Sequence, residues 1–348
     1  MKNILFALSV LLLAALLAAC GEGKKELYIY NWTEYMPDAV IKSFEKETGI
    51  TVHYSTYDSN EAMYAKLKSV GGKGYDLIIP STYYVQRMRT EGMLLKLDKS
   101  RIANLKNLDP AVLNKPYDPN NDYSIPYLWG TTGIGVNVSE IDPAAITSWR
   151  DLWKPEFKDK VLLTDDIREV FGLAFKVLGY SINDTEPKHI EEAYELLKGI
   201  LPNVRVFTAE SPSSVLLNHE ATIGMIWNGE LFLANNEGDT PGFAYIYPKE
   251  GVNVWMDNMA IPSGAANVAS AHAFIDYVLK PEVAKAICEE YGYTSPNLEA
   301  VKLLPPEIRD NRILYPTAED MRNSEFMEYI GEAIVEYEKY WERLKTGK

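Results

Sequence analysis

Residues 27–54 read LYIYNWTEYMPDAVIKSFEKETGITVHY, and the order of elements in this stretch sets the fold. Leu27-Tyr28-Ile29-Tyr30 reads as a strand. Pro37 to Thr48 reads as a helix, with Val40, Ile41 and Phe44 on one face and Gly49 as its stop. Val52-His53-Tyr54 is a second strand. Further on, Asn60 to Val70 is a second helix that aligns Met63, Leu67 and Val70 before Gly71-Gly72 closes it. Leu77-Ile78-Ile79-Pro80 is a short, continuous apolar run, the pattern of a strand buried on both faces of a parallel sheet. Strand, helix, strand, helix, strand is an α/β domain.

The pattern returns beyond Ser124 to Gly130. Val161-Leu162-Leu163 and Ala221 to Trp227 read as strands, Ile167 to Leu178 and Ile190 to Leu197 as amphipathic helices. The sheet pattern resumes at Asn253 to Pro262, and helices are expected over Val268 to Leu279, Glu282 to Tyr291 and Phe326 to Leu344. Gly130-Thr131-Thr132-Gly133-Ile134-Gly135 resembles a phosphate loop only superficially, because no Lys-Ser/Thr follows it, and it reads as a hinge or turn. A chain of 348 residues with this pattern predicts two α/β domains joined by short extended crossings. Ligands of open α/β sheets sit at the carboxyl ends of the strands, so two such domains facing each other share a cleft.

The first residues set the compartment. Lys2 precedes an apolar run from Ile4 to Ala19, then Cys20 and the polar stretch Gly21 to Lys25. This is the order of a secretory signal, and the run is shorter than the roughly 20 residues of a spanning helix. Leu17-Ala18-Ala19-Cys20 resembles the lipobox of bacterial lipoproteins, which makes Cys20 the expected lipidation site and residues 1–19 the removed peptide. The membrane is then a partner through the lipid anchor only. Cys288 would be left alone after processing, so no intrachain disulfide forms, and its helical spacing from Ala284 places it on an apolar face.

Charge and chemistry narrow the function. Against 35 Lys and Arg stand 49 Asp and Glu, a formal charge of −14 that argues against nucleic acid or anionic lipid as partners. His53, His189, His219 and His272 show no metal-ligand spacing, and no nucleophile motif is present, so neither a metal, a cofactor nor catalysis is expected.

What stands out is aromatic residues beside carboxylates at predicted strand ends: Trp32-Thr33-Glu34-Tyr35, Ser81-Thr82-Tyr83-Tyr84, Asp165-Asp166-Ile167-Arg168-Glu169, Trp227-Asn228 and Trp255-Met256-Asp257. Residues two apart on a strand share a face, so Trp255 and Asp257 can point the same way. An elongated organic cation needs this combination, since rings take the methylenes at about 0.8 kcal/mol per buried CH₂ and carboxylates take the charges. Each feature also has a plainer reading. Asp166-x-x-Glu169 fits a helix capping box, Trp227 and Trp255 fit a core, and Glu34-Tyr35 fits a strand-to-helix turn.

At these residues the chain resembles the periplasmic spermidine/putrescine-binding proteins that feed ATP-driven polyamine importers. The resemblance runs from Leu27 to Leu344 through Tyr30 to Tyr35, Pro80 to Val85, Asp118 to Tyr127, Thr164 to Asp166, Gly224 to Gly229 and Trp255 to Asp257. It implies a two-lobed periplasmic-binding-protein fold, type II-like, with the ligand cleft between lobes. Residues 26–132 plus 256–302 would form the N-terminal lobe and 133–255 plus 303–348 the C-terminal lobe. It also implies partners: a polyamine, an ABC-transporter permease and, through it, an ATPase. Carried over position by position, the family's rings fall on Trp32, Tyr83, Trp227, Trp255 and Tyr293, and its acidic residues on Glu34, Asp166, Glu169 and Asp257. Thr33, Tyr35 and Ser81 match polar contacts. Two positions depart: Met327 stands where the spermidine carrier has a glutamine, and an ungapped reading puts Ala209 where it has a serine. The alternatives are a two-lobed binder for another organic cation and an extracytoplasmic glycosidase-type enzyme.

Overall fold

Alternation in the first strand, Glu26–Trp32 (β1), turns Leu27, Ile29 and Asn31 into the core and leaves Tyr28, Tyr30 and Trp32 on the other face. That second face is an aromatic row: Tyr28 stacks on His53, Tyr30 on Tyr75, and Trp32 tilts against Tyr57. In the computed structural model, residues 25–237 and 242–347 are described. The expected signal peptide and Cys20 lie outside these residues.

Next in the sheet come Thr51–Tyr57 (β2), Leu77–Ile78 (β3), Ser124–Asn137 (β4), Val161–Leu163 (β5), Val204–Phe207 (β6), Ile223–Trp227 (β7), Phe243–Ile246 (β8), Asn253–Ala260 (β9) and Glu325–Phe326 (β10). Hydrogen bonding runs in the order β2-β1-β3-β9-β4-β7-β5-β6, with β8 on β4 and β10 on β9. The β2-β1-β3 and β6-β5-β7 groups are parallel, whereas β9 and β4 run antiparallel to their neighbours on this path. β3 is therefore buried in a mixed sheet, not in a parallel one as the apolar run suggested.

Among the described residues, four clusters of buried side chains flank this path, two of them large. One gathers Leu27, Ile29, Phe44, Leu77, Ile125, Leu128, Met259 and Phe274, and the other Ile134, Val136, Val161, Phe171, Phe175, Ile223 and Tyr337. β4 passes from the first to the second between Leu128 and Ile134. We call the two halves the N-terminal and C-terminal lobes. Leu304 also belongs to the first core, and Ile308 and Tyr315 pack on it.

Several sequence expectations are corrected. Gly130 to Gly135 is not a turn: it is the middle of β4, kept extended by pairing with β9 and β7. A Cβ on Gly130 would collide with the Trp255 ring, so this glycine serves close approach and not backbone reversal. The segment expected as one helix from Phe326 to Leu344 is the short β10, a connection and a helix confined to Ile334–Thr346. The strand expected from Ala221 starts at Ile223, and that expected to reach Pro262 ends at Ala260. Thr82–Thr90, not read as an element, is a helix. Cys288 is buried, as its apolar spacing predicts, and burial pushes its thiol up to about 12.

Candidate functional site: an acidic, ring-lined cleft

The carboxyl ends of four strands meet at one cavity of about 330 Å³ between the lobes. β1 ends on Trp32 and continues into Thr33, Glu34 and Tyr35; β3 leads to Ser81, β5 to Asp166, and β7 ends on Trp227. β9 crosses beneath and presents Trp255 and Asp257, two apart on one face. Tyr83, Tyr293 and Met327 also line the wall. A Cβ on Gly229 would strike the Tyr293 ring, so this glycine and Gly130 make room for two of the cleft aromatics. Tyr293 in turn meets Trp255 edge-on at 5.2 Å.

Asp257 is held by two hydroxyls of the same wall, Ser81 Oγ donating at 2.5 Å and Tyr35 OH at 2.8 Å. Burial pushes it up to about 7, with the Asp166 carboxylate adding to the shift. Asp166 caps the helix Ile167–Leu178: its Oδ1 accepts the backbone N–H groups of Arg168 at 2.8 Å and Glu169 at 3.0 Å. The same carboxylate lines the cavity, so the capping and wall readings hold together. The reciprocal half of a capping box is not made, because the Glu169 side chain points elsewhere.

Glu169 is not in the cavity wall. It lies behind Trp227, accepting from Thr132 Oγ1 at 2.7 Å, Asn253 Nδ2 at 2.7 Å and the Trp227 indole at 3.3 Å. Burial raises its pKa, and Asp166 raises it further. Trp32 is fixed by its indole donating to Ile79 O at 2.9 Å, and Thr82 Oγ1 donates to the Met327 carbonyl at 2.8 Å.

Sequence reasoning missed other wall residues. Asn60 donates to both Ser81 Oγ and Tyr83 OH at 3.0 Å and accepts the Ser81 N–H at 3.2 Å. Glu61 joins the wall beside it, and burial, then Asp166, push its carboxyl up to about 7. Both follow β2, whose carboxyl end faces the same edge as that of β1; this was the available signal. Glu230 lines the opposite side, accepting from Ser213 Oγ at 2.7 Å. Ala209 also lines the cavity, and the hydroxyl nearby comes from Ser211, whose Oγ donates across the mouth to Glu34 Oε2 at 3.4 Å.

Among the described residues no group of three or more His, Cys, Asp or Glu is placed to hold a metal ion, and no helix is long and apolar enough to cross a membrane.

Comparison with known proteins agrees with this architecture. The chain is 53% identical over 331 residues to the spermidine/putrescine-binding periplasmic protein of Escherichia coli, covering 95% of this chain and 94% of that one. Among solved structures, the spermidine/putrescine ABC-transporter substrate-binding protein PotD of Streptococcus pneumoniae is 39% identical, with a TM-score of 0.78 over 92% of this chain and 99% of that one. The PotD lipoprotein of Treponema pallidum is 29% identical, with a TM-score of 0.81 over 92% and 99%. These relatives are substrate-binding proteins of transport systems, not enzymes. With residues 39–316 matching its profile as well, the chain belongs to the bacterial extracellular solute-binding protein family.

Proposed function

We propose that this protein captures a linear polyamine, spermidine or putrescine, and delivers it to the permease of an ABC importer driven by its ATPase. The observation that carries the reading is the composition of the cavity wall: nine carboxylates and eight aromatic rings, with no lysine, arginine or histidine. An anionic solute is repelled by such a wall, and a neutral one leaves the wall's charges without a counter-ion. A polycation on an alkyl chain uses both halves of it, at about 0.8 kcal/mol per buried CH₂ and about 0.5 to 2 kcal/mol for each ring under an ammonium.

In this reading Trp32, Tyr83, Trp227, Trp255 and Tyr293 enclose the methylenes, and Glu34, Asp166 and Asp257 meet the nitrogens. Glu169 adds its charge from beneath Trp227, while Thr33, Tyr35 and Ser81 supply neutral polar contacts and Met327 a thioether. The E. coli relative, named for both polyamines, supports the ligand class. The mature protein works outside the cytoplasm, in the periplasm or at the cell surface, tethered by lipid on Cys20; the Treponema lipoprotein supports this anchor.

The test is mass spectrometry of ligand retained by the purified protein, followed by calorimetry. Spermidine or putrescine should be retained and should bind, and neutral amino acids should not. Equal binding of both groups would sink the polyamine reading. For the anchor, Cys20→Ala should move the protein from the membrane to the soluble fraction; continued membrane retention would remove it.

A further inference from the structure

Glu61 opens the helix Asn60–Ser69 of the N-terminal lobe, where a first-turn carboxylate offsets the positive helix end. That duty does not require a place in the cavity wall, yet Glu61 is there, and the Tyr84 ring whose hydroxyl it holds lies 5.0 Å from the Tyr83 ring. Its Oε1 accepts the Tyr84 hydroxyl at 3.2 Å, a neutral partner. Asp166 lines the same cavity from the C-terminal lobe, its Oδ1 committed to two backbone N–H groups, and the guanidinium two residues on packs over the Tyr83 ring. Both carboxylates line the cavity, and the charge of Asp166 adds to the rise that burial gives the Glu61 pKa, with Glu338, also in the wall, adding less.

The nearest buried cation is turned away from them. Arg168 gives its guanidinium to Glu328 O at 2.9 Å and Asn183 Oδ1 at 2.8 Å, and it stands 5.3 Å from the Tyr83 ring. Two like charges, one from each lobe, thus line one cavity whose wall has no cation of its own. Their repulsion opposes closure until a positive group lies between them. We propose that Glu61 and Asp166 jointly hold one primary ammonium at a chain end of the ligand, so that the lobes close over this end only around a charged terminus. The inference rests on the polyamine reading above.

A double-mutant cycle with spermidine tests it by calorimetry. Glu61→Gln keeps an acceptor for Tyr84, and Asp166→Asn keeps a good helix cap. Each single change should weaken binding by about 10- to 100-fold, and the double variant should lose at least about threefold less than the product of the two, because both act on one ammonium. Thermal melts of the ligand-free variants check folding, and Glu61→Ala serves as a second variant if Glu61→Gln is poorly behaved. Multiplicative losses, or Glu61→Gln affinity within about threefold of wild type, would overturn the inference while leaving the polyamine reading intact. A wild type without spermidine affinity would overturn both.

Discussion

Asp257 in the N-terminal wall and Glu169 on the C-terminal side are buried to nearly the same depth, at 6% and 2% exposure, and burial raises both pKa values. Their partners separate them. Asp257 is supported from the wall by Ser81 and Tyr35 and presents itself to the cavity. Glu169 is encircled by Thr132 of β4, Asn253 of β9 and the indole of Trp227, so it ties two crossing strands to one cleft ring. Depth and pKa direction do not reveal whether a carboxylate serves a ligand; the identity and position of its donors do.

The comparison breaks most easily at Asp257. Asp257→Asn keeps the shape and removes a counter-charge, and we expect polyamine affinity to fall by about 2 to 5 kcal/mol with little change in the ligand-free melting temperature. Calorimetry and a thermal melt measure the two arms. If affinity stays within about 0.7 kcal/mol, Asp257 is not a counter-charge.

Glu169→Gln should show the opposite balance. An amide there sets one buried donor against another, at a cost of about 1 to 3 kcal/mol in folding stability, with a smaller affinity loss than Asp257→Asn. Denaturant unfolding and calorimetry read both. An affinity loss as large as that of Asp257→Asn, with stability unchanged, would mean that Glu169 contacts the ligand directly.

Titration sharpens the difference between the free and loaded states. Asp257 and Glu61, each raised to about 7, hold protons in the folded, ligand-free protein that the unfolded chain has already released between pH about 4 and 7. Ligand-free stability should therefore rise as pH falls through 7. Polyamine binding should weaken over the same range, by up to about tenfold per pH unit for each proton displaced. Melts and calorimetry at about pH 8 and pH 5.5 test the pair of slopes. Parallel slopes would show that these carboxylates are not the ones that meet the ligand.

The smallest effect is expected at Met327. A thioether is a poor acceptor, so Met327→Gln should improve spermidine relative to putrescine by about 1 kcal/mol. Calorimetry with both ligands on both proteins gives the ratio. An unchanged ratio would mean that the side chain at 327 meets methylenes only.

Some features were legible because they depend on near neighbours in the chain. Alternation in β1 and the Gly49 stop are local patterns, and the folded chain follows them, whereas Ile167–Leu178, expected to be amphipathic, is buried on every face from Ile167 to Lys176, with Arg168, Glu169 and Lys176 included. Trp255 and Asp257 were legible in the local sense, since their shared face follows from strand geometry alone. Gly130 to Gly135 misled for the converse reason: a glycine-rich run looks like a turn unless the ring that needs its space is known, and Trp255 lies far away in sequence. Asn60 and Glu61 likewise looked like ordinary helix-start residues until β2 and β1 were seen to end on one edge.

By itself, then, the sequence determined the two α/β halves, the excess of negative charge and, through family resemblance, the rings and carboxylates of the cleft. Only the tertiary structure decided which way those carboxylates point. It turned Asp257 into the cavity, set Glu169 behind Trp227, and brought Glu61 and Asp166 from opposite lobes into one cavity wall. The reason is physical: a buried carboxylate must find donors, and for Asp257 and Glu169 those donors lie on other elements of the fold, tens to hundreds of residues distant, which no local pattern records.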